Sequence, residues 1–209
     1  MAVVLEIGNV FEFLSYIAPF LVGFLMIMIS FMNKNIKGIV YLGGVTLLAI
    51  INIFLQNIAA AKGFVIPNPE GKINGICNVF LLGNSISANL ASIPPFNSVF
   101  IAFTIAYTYL PLRGTNDTNY WFFGFLLSLF MLDGFVKVNR SCTTPIGVLL
   151  GGMIGYMFGT FFYGIIEGAG LGKLLYFSEM SSTKQVCSRP TKQKFKCDVY
   201  QNGKLIKGN

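Results

Sequence analysis

Long apolar stretches alternate along the chain with short polar interruptions. A membrane-crossing helix needs about 20 mostly apolar residues. The first such stretch covers 13–32 (FLSYIAPFLVGFLMIMISFM), which is free of charge and carries Pro19 early in its run. Proline is tolerated there because neighbouring helices can satisfy the freed carbonyl. Asn33-Lys34-Asn35-Ile36-Lys37 closes this span, and a second follows over 38–61. Asn52, Gln56 and Asn57 share one face of it, a spacing expected to point at other helices rather than at lipid. Three further spans are expected over 96–112, 120–136 and 146–166. Pro94-Pro95 leads into the third, Tyr120-Trp121 sets aromatics at the membrane interface of the fourth, and Pro145 suits the first turn of the fifth.

Residues 62–97 break this rhythm. Pro67, Asn68, Pro69 and Gly71 form a turn cluster, and 75–93 is apolar but studded with asparagine and serine. A short or interfacial helix is expected over 75–93, with a sixth span as the alternative. Glu6 and Glu12 stand where a signal peptide would be basic, so the first segment is expected to stay as a transmembrane helix. The expected architecture is an all-α polytopic membrane protein. A bundle of five helices (six in the alternative) occupies 1–172, and a basic extramembrane tail with a small β-hairpin occupies 173–209.

Composition agrees. Of 209 residues, 54% are hydrophobic and only 11% charged, against about 25% charged in a soluble domain. One core of this size could not hide that much apolar surface, which excludes a soluble globular enzyme. Histidine is absent, which excludes imidazole acid–base chemistry and histidine-ligated metals. Cys77, Cys142, Cys187 and Cys197 include no CxxC pair, so neither a metal site nor a cofactor is expected. The expected spans carry no charge beyond their edges, where Asp133 and Glu167 stand. A channel or transporter is therefore the weakest of the membrane functions, because intramembrane charge usually marks an ion path.

In the last span, Gly147, Gly151, Gly155 and Gly159 recur every four residues. Such a stripe lets two helix backbones approach closely, either within the bundle, the better-weighted reading, or in self-association.

Residues 173–209 hold eight basic and two acidic side chains, nearly all of the chain's net charge of +7. With five spans the tail shares a side with Lys34, Lys37 and Arg113, and the excess of basic residues places that side in the cytoplasm. Within the tail, Phe195, Cys197 and Val199 alternate with polar residues as in a half-buried strand. Asn202-Gly203 is a hairpin turn signal, and Leu205-Ile206 offers a return strand. A hairpin this small is not stable alone in water, so it is expected to lie on a partner, on lipid or on its own body. Lys192, Lys194, Phe195, Lys196, Val199 and Tyr200 are the candidate partner contacts. Cys187 and Cys197 could form a disulfide or remain free thiols. Only Phe195 and Tyr200 could stack on bases, so nucleic acid is not an expected partner.

On the side opposite the tail lie Lys62…Asn68-Pro69, Pro94-Pro95 before an apolar helix, and Lys137-Val-Asn-Arg140-Ser-Cys-Thr143-Thr-Pro-Ile-Gly147. Their order resembles the type-2 phosphatidic acid phosphatase family, whose pattern is K-x6-R-P, then P-S-G-H, then S-R-x5-H-x3-D before a glycine-rich helix. Matched to that pattern, Asn68 stands for the arginine and Lys137 for the second arginine. Thr143 stands for the nucleophilic histidine and Gly147 for the aspartate that orients it. The resemblance implies an inherited fold over about 62–166 without the chemistry: a pseudoenzyme releasing no phosphate from phosphatidic acid. Lys62, Lys72, Lys137 and Arg140 would then be candidate contacts for an anionic headgroup, or simply loop charges that fix topology. The tail, CSRPTKQKFKCDVYQNGKLI, resembles the C-terminal segment of multi-pass membrane proteins encoded by large double-stranded DNA viruses. That resemblance implies a structural, minor capsid-type protein of the virion inner membrane, and of host internal membranes during assembly. Such a protein would tie membrane lipids to capsid or scaffold proteins. The alternative is an anionic-lipid-binding, non-hydrolysing pseudophosphatase of a cellular or viral membrane.

Overall fold

The computed structural model describes residues 7–62, 93–113, 120–177, 199–201 and 204–206. Among them the chain is mostly helical: α1 (Ile7–Met32), α2 (Lys37–Ala61), α3 (Phe96–Leu112), α4 (Tyr120–Asn139) and α5 (Pro145–Gly168). A single 3₁₀ turn, Gly172–Leu174, follows α5. Four helices, α1, α2, α4 and α5, are long and apolar enough to cross a membrane. The chain is a multi-pass transmembrane protein. The expected helix over 75–93 lies outside the described residues.

The fifth helix differs in kind. At 17 residues, α3 is about 26 Å long, a little short of the roughly 30 Å hydrocarbon layer. Twelve of its residues are buried, on every face of the helix, whereas only 22–33% of each long span is buried. The long helices turn Phe13, Phe20, Phe24, Leu47, Phe54, Leu127, Met157 and Phe161 outward, as suits a surface facing lipid. The short helix is the axis around which the others pack. Shielded from lipid, it accommodates Asn97, Ser98, Thr104 and Thr108, all buried.

Close packing on α3 comes mainly from α5. A Cβ on Gly155 would run into the Val99 carbonyl oxygen, and one on Gly159 would stand 2.9 Å from that of Phe103. At Gly151 the nearest atom is the Ser98 Cβ, at 3.3 Å. The glycine stripe therefore lies backbone to backbone against α3, within the chain. Gly147 ends the stripe over the side chains of Thr143 and Thr144. Thr144 caps α5, its Oγ1 accepting from the Gly147 N–H at 2.9 Å, and Pro145 fills the first turn, where a missing N–H costs nothing.

The α1–α2 turn is equally tight. Ser30 Oγ donates to the Asn35 carbonyl at 2.7 Å and accepts from the Gly38 N–H at 2.8 Å. A Cβ on Gly38 would lie 2.8 Å from that of Ser30, so only glycine lets the two helices close here.

Two expectations need adjustment. The α4 helix continues to Asn139, three residues beyond the expected end, because Asp133 and Lys137 pair one turn apart and carry the helix through its charged stretch. The packed body likewise runs past 172: Leu175 and Tyr176 are buried in the bundle. In the tail, Val199–Gln201 pairs antiparallel with Lys204–Ile206, Val199 opposite Ile206 and Tyr200 opposite Leu205. Six residues of ladder do not make an independent module, and residues 178–198 lie outside the described residues.

Candidate functional site

Two polar centres lie at opposite ends of the bundle. The first is where α3 begins, α4 ends and α5 begins. Asp133, on α4, is wholly buried. Its Oδ1 accepts from Ser15 Oγ of α1 at 2.9 Å and from Asn97 Nδ2 of α3 at 2.9 Å, and its Oδ2 accepts from Ser98 Oγ at 3.4 Å. Lys137 Nζ stands 3.5 Å from Oδ1 and is itself 4% exposed. Asn97 also donates to the Ser15 carbonyl at 3.1 Å. One carboxylate thus gathers donors from three helices. A buried charge is tolerated only when paired and hydrogen-bonded, and both conditions hold here.

Just outside this centre, Arg140 forms an exposed ion pair with Glu12 of α1. On the α2 side, Gln56 Nε2 donates to the Pro94 carbonyl at 2.8 Å, bringing the end of α2 to the start of α3. Of the polar trio on α2, Asn52 is buried and Gln56 points inward, while Asn57 is exposed. Helical spacing put all three on one face, but only Asn52 and Gln56 are turned toward the bundle.

The second centre lies at the tail end. Tyr41, Tyr107 and Tyr176 converge, with ring centroids 5.8–6.4 Å apart. Tyr41 and Thr104 share a hydroxyl hydrogen bond of 2.7 Å, and Tyr176 donates to the Met26 carbonyl at 2.6 Å. Burial pushes the Tyr176 phenol up from its ordinary value, which keeps it a protonated donor at neutral pH. Among the described residues, the Tyr107 hydroxyl and Asn52 Oδ1 are buried without a hydrogen-bond partner. The stretch leaving α5 therefore folds back and caps the end of the bundle with an aromatic plug.

The residues singled out from the sequence divide accordingly. Pro94, Pro95, Lys137, Arg140, Thr143 and Gly147 come together at the first end, and Lys62 follows α2 there, exposed. Lys137 faces inward to Asp133 and Arg140 faces Glu12, so the charge of each is already met by a carboxylate. Lys72, Cys187, Lys192, Lys194, Phe195, Lys196 and Cys197 lie outside the described residues. Val199 and Tyr200 form part of the short ladder. Ser15, Asn97 and Tyr176 were not anticipated. Nothing in their local sequence marks them, whereas the Asp133–Lys137 spacing was a readable one-turn pair on one helix face.

Compared with known protein families, curated proteins and solved structures, the chain matches none.

Proposed function

We propose that this protein is a structural membrane anchor that holds a basic tail for a protein partner. The observation that carries the reading is the Tyr176 plug. It packs the start of the post-helical segment into the bundle, so the chain leaves a rigid body at Phe177 just ahead of a strongly basic stretch. A binding segment launched from a fixed point loses less freedom on docking than one on a loose tether. The chemistry of the bundle agrees. Its buried Asp133 and Lys137 are spent on each other, and the absence of histidine removes the usual catalytic base. In this reading the tail docks on capsid or scaffold proteins of a large DNA virus, under an inner virion membrane, with Phe195, Val199 and Tyr200 as apolar contacts and Lys192, Lys194 and Lys196 as charge. The tail faces the cytoplasm during assembly, and the protein has no hydrolytic activity.

Cross-linking mass spectrometry on native membranes or particles tests this with a lysine-reactive reagent. Reproducible links from Lys192, Lys194 or Lys196 to one abundant shell protein are expected. Links confined to the chain's own Lys34 and Lys37 would overturn the proposal.

A second reading draws on the convergence of Pro94-Pro95, Lys137, Thr143 and Gly147 at one end, the order expected of a lipid-phosphatase-like body. In it the bundle retains an anionic lipid without hydrolysing it. The pairing of Lys137 with Asp133 counts against it, because a headgroup would have to displace a buried partner. Retention of phosphatidic acid through detergent purification, lost in Lys137→Ala, would favour this reading over the anchor.

A further inference from the structure

The two ends of the bundle present different charge to the membrane surface. At the end where α1 begins, Lys137 and Arg140 are each matched by a carboxylate, Asp133 and Glu12. At the tail end three cations stand exposed: Lys34 in the α1–α2 turn, Arg113 directly after α3, and Lys173 in the 3₁₀ turn. Among the described residues, none of the three lies within ion-pair distance of a carboxylate. Glu167 is the only described carboxylate at this end. Lys37 is buried and takes no part.

The aromatic plug gathers these positions from three separate connections. Ser30, four residues before Lys34, holds the Gly38 N–H, and a Cβ on Gly38 would lie 3.2 Å from the Tyr176 hydroxyl. Tyr176 itself follows Lys173 by three residues. Tyr107, six residues before Arg113, packs edge-on against Tyr176 with ring centroids 6.4 Å apart. The start of α4 joins them, with Phe122 against Phe177 at 6.2 Å.

The depth of this end follows from its apolar collar. Tyr120 and Trp121 head α4 and are exposed, Trp121 to 90%. Such rings settle at the level of the lipid headgroups. Phe31, Met32 and Ile36 flank Lys34, and Leu171 lies beside Lys173, all exposed. A loop held clear in water would carry the same cations without these neighbours. With the collar in lipid, the lysine and arginine stems lie along it and raise their charge to the phosphates. Cations at that level attract anionic lipid.

We propose that the tail end of the bundle is a contact face for anionic phospholipid headgroups, met by Lys34, Arg113 and Lys173, with Trp121 at its rim. The face belongs to the folded body and does not depend on what the basic tail docks on. It enriches acidic lipid in the leaflet from which the tail emerges.

Trp121 is the only tryptophan in the chain, so its fluorescence reads the lipid at this end alone. The full chain is reconstituted in phosphatidylcholine vesicles with a minor share of phosphatidylglycerol. Both leaflets are alike, so the direction of insertion does not matter. An equal small fraction of one lipid or the other is brominated high on its acyl chain, which quenches nearby tryptophan. Brominated phosphatidylglycerol should quench Trp121 at least about twofold more strongly than brominated phosphatidylcholine, because each surface cation gives about a fivefold preference. The excess should vanish in about 1 M salt, where the screening length is about 3 Å. It should also vanish in the Lys34→Gln, Arg113→Gln, Lys173→Gln triple variant, and persist when Lys34→Arg, Arg113→Lys and Lys173→Arg keep the charge. Replacing Lys192, Lys194 and Lys196 by glutamine should leave it in place. All the replaced body residues are exposed, so the heating midpoint should not move, which separates loss of lipid from loss of fold. Equal quenching by the two lipids overturns the proposal. An excess that survives the glutamine triple variant, or disappears with the three tail lysines, overturns it too by assigning the lipid to the tail.

Discussion

Replacing Asp133 by asparagine isolates the electrostatic part of the buried centre. The amide keeps the volume and an oxygen acceptor for Ser15 and Asn97, so the two 2.9 Å hydrogen bonds can persist. What disappears is the charge facing Lys137, which has nowhere to turn at 4% exposure. Interhelical hydrogen bonds inside membranes average only about 0.6 kcal/mol, so a partial loss of these contributes little. Removing one partner of a buried ion pair costs about 3–5 kcal/mol. For a chain of this size each kcal/mol moves the midpoint by about 2–4 °C, so a fall of roughly 6–20 °C is expected. The assay is loss of the monodisperse peak in size-exclusion chromatography of the detergent-purified chain after heating. Asp133→Leu combined with Lys137→Met removes both charges and should recover most of the loss, because paired buried charges can be exchanged for apolar groups at little cost. An Asp133→Asn midpoint within about 2 °C of the parent, or a double variant no better than the single one, would refute the reasoning.

The glycine stripe gives a graded series. Gly155→Ala puts a methyl against the Val99 carbonyl, so α5 must move off α3 at a cost of about 1–3 kcal/mol or more, whereas Gly164→Ala meets open space and should be neutral or slightly stabilising in the same heating assay. Tyr176→Phe should lose about 1 kcal/mol with the hydrogen bond to Met26, and Tyr176→Ala about 3–5 kcal/mol with the plug, again read as midpoints; equal effects would mean that the ring contributes nothing. Glu12→Gln removes an exposed pair and should change stability by less than about 1 kcal/mol. Phe195→Asp should abolish cross-links from the tail to its partner and leave the bundle's midpoint unchanged; persistent cross-links would remove Phe195 from the interface.

Much of the bundle was legible because the membrane imposes a length and a composition on each crossing. The spans over 13–32, 38–61, 96–112, 120–136 and 146–166 fall within α1 to α5 because each is an apolar stretch bounded by proline, glycine or charge. Asp133 was legible as a residue near a helix edge one turn from Lys137, but not as the centre of a buried network. Whether an edge residue meets water or protein depends on what packs against it, and Ser15 lies 118 positions away in the chain. Tyr176 was hidden for the same reason. It follows a short glycine-rich stretch that ends a span, and nothing before it signals that the chain turns back into the bundle.

Hydropathy by itself determined that this is a multi-pass membrane protein and where its helices lie, because an apolar stretch of the right length has no other stable home. The positions of the charges gave the expected orientation. Tertiary structure alone decided which helix is central. The five stretches look alike in hydropathy, yet α3 alone is surrounded by protein, because the α5 glycines let that helix lie against it backbone to backbone. That choice also turned Asn97 and Ser98 from polar interruptions near a helix start into the inner wall of a buried centre. Long-range contacts of this kind carry no local pattern, since the residues that make them meet only after the helices have packed.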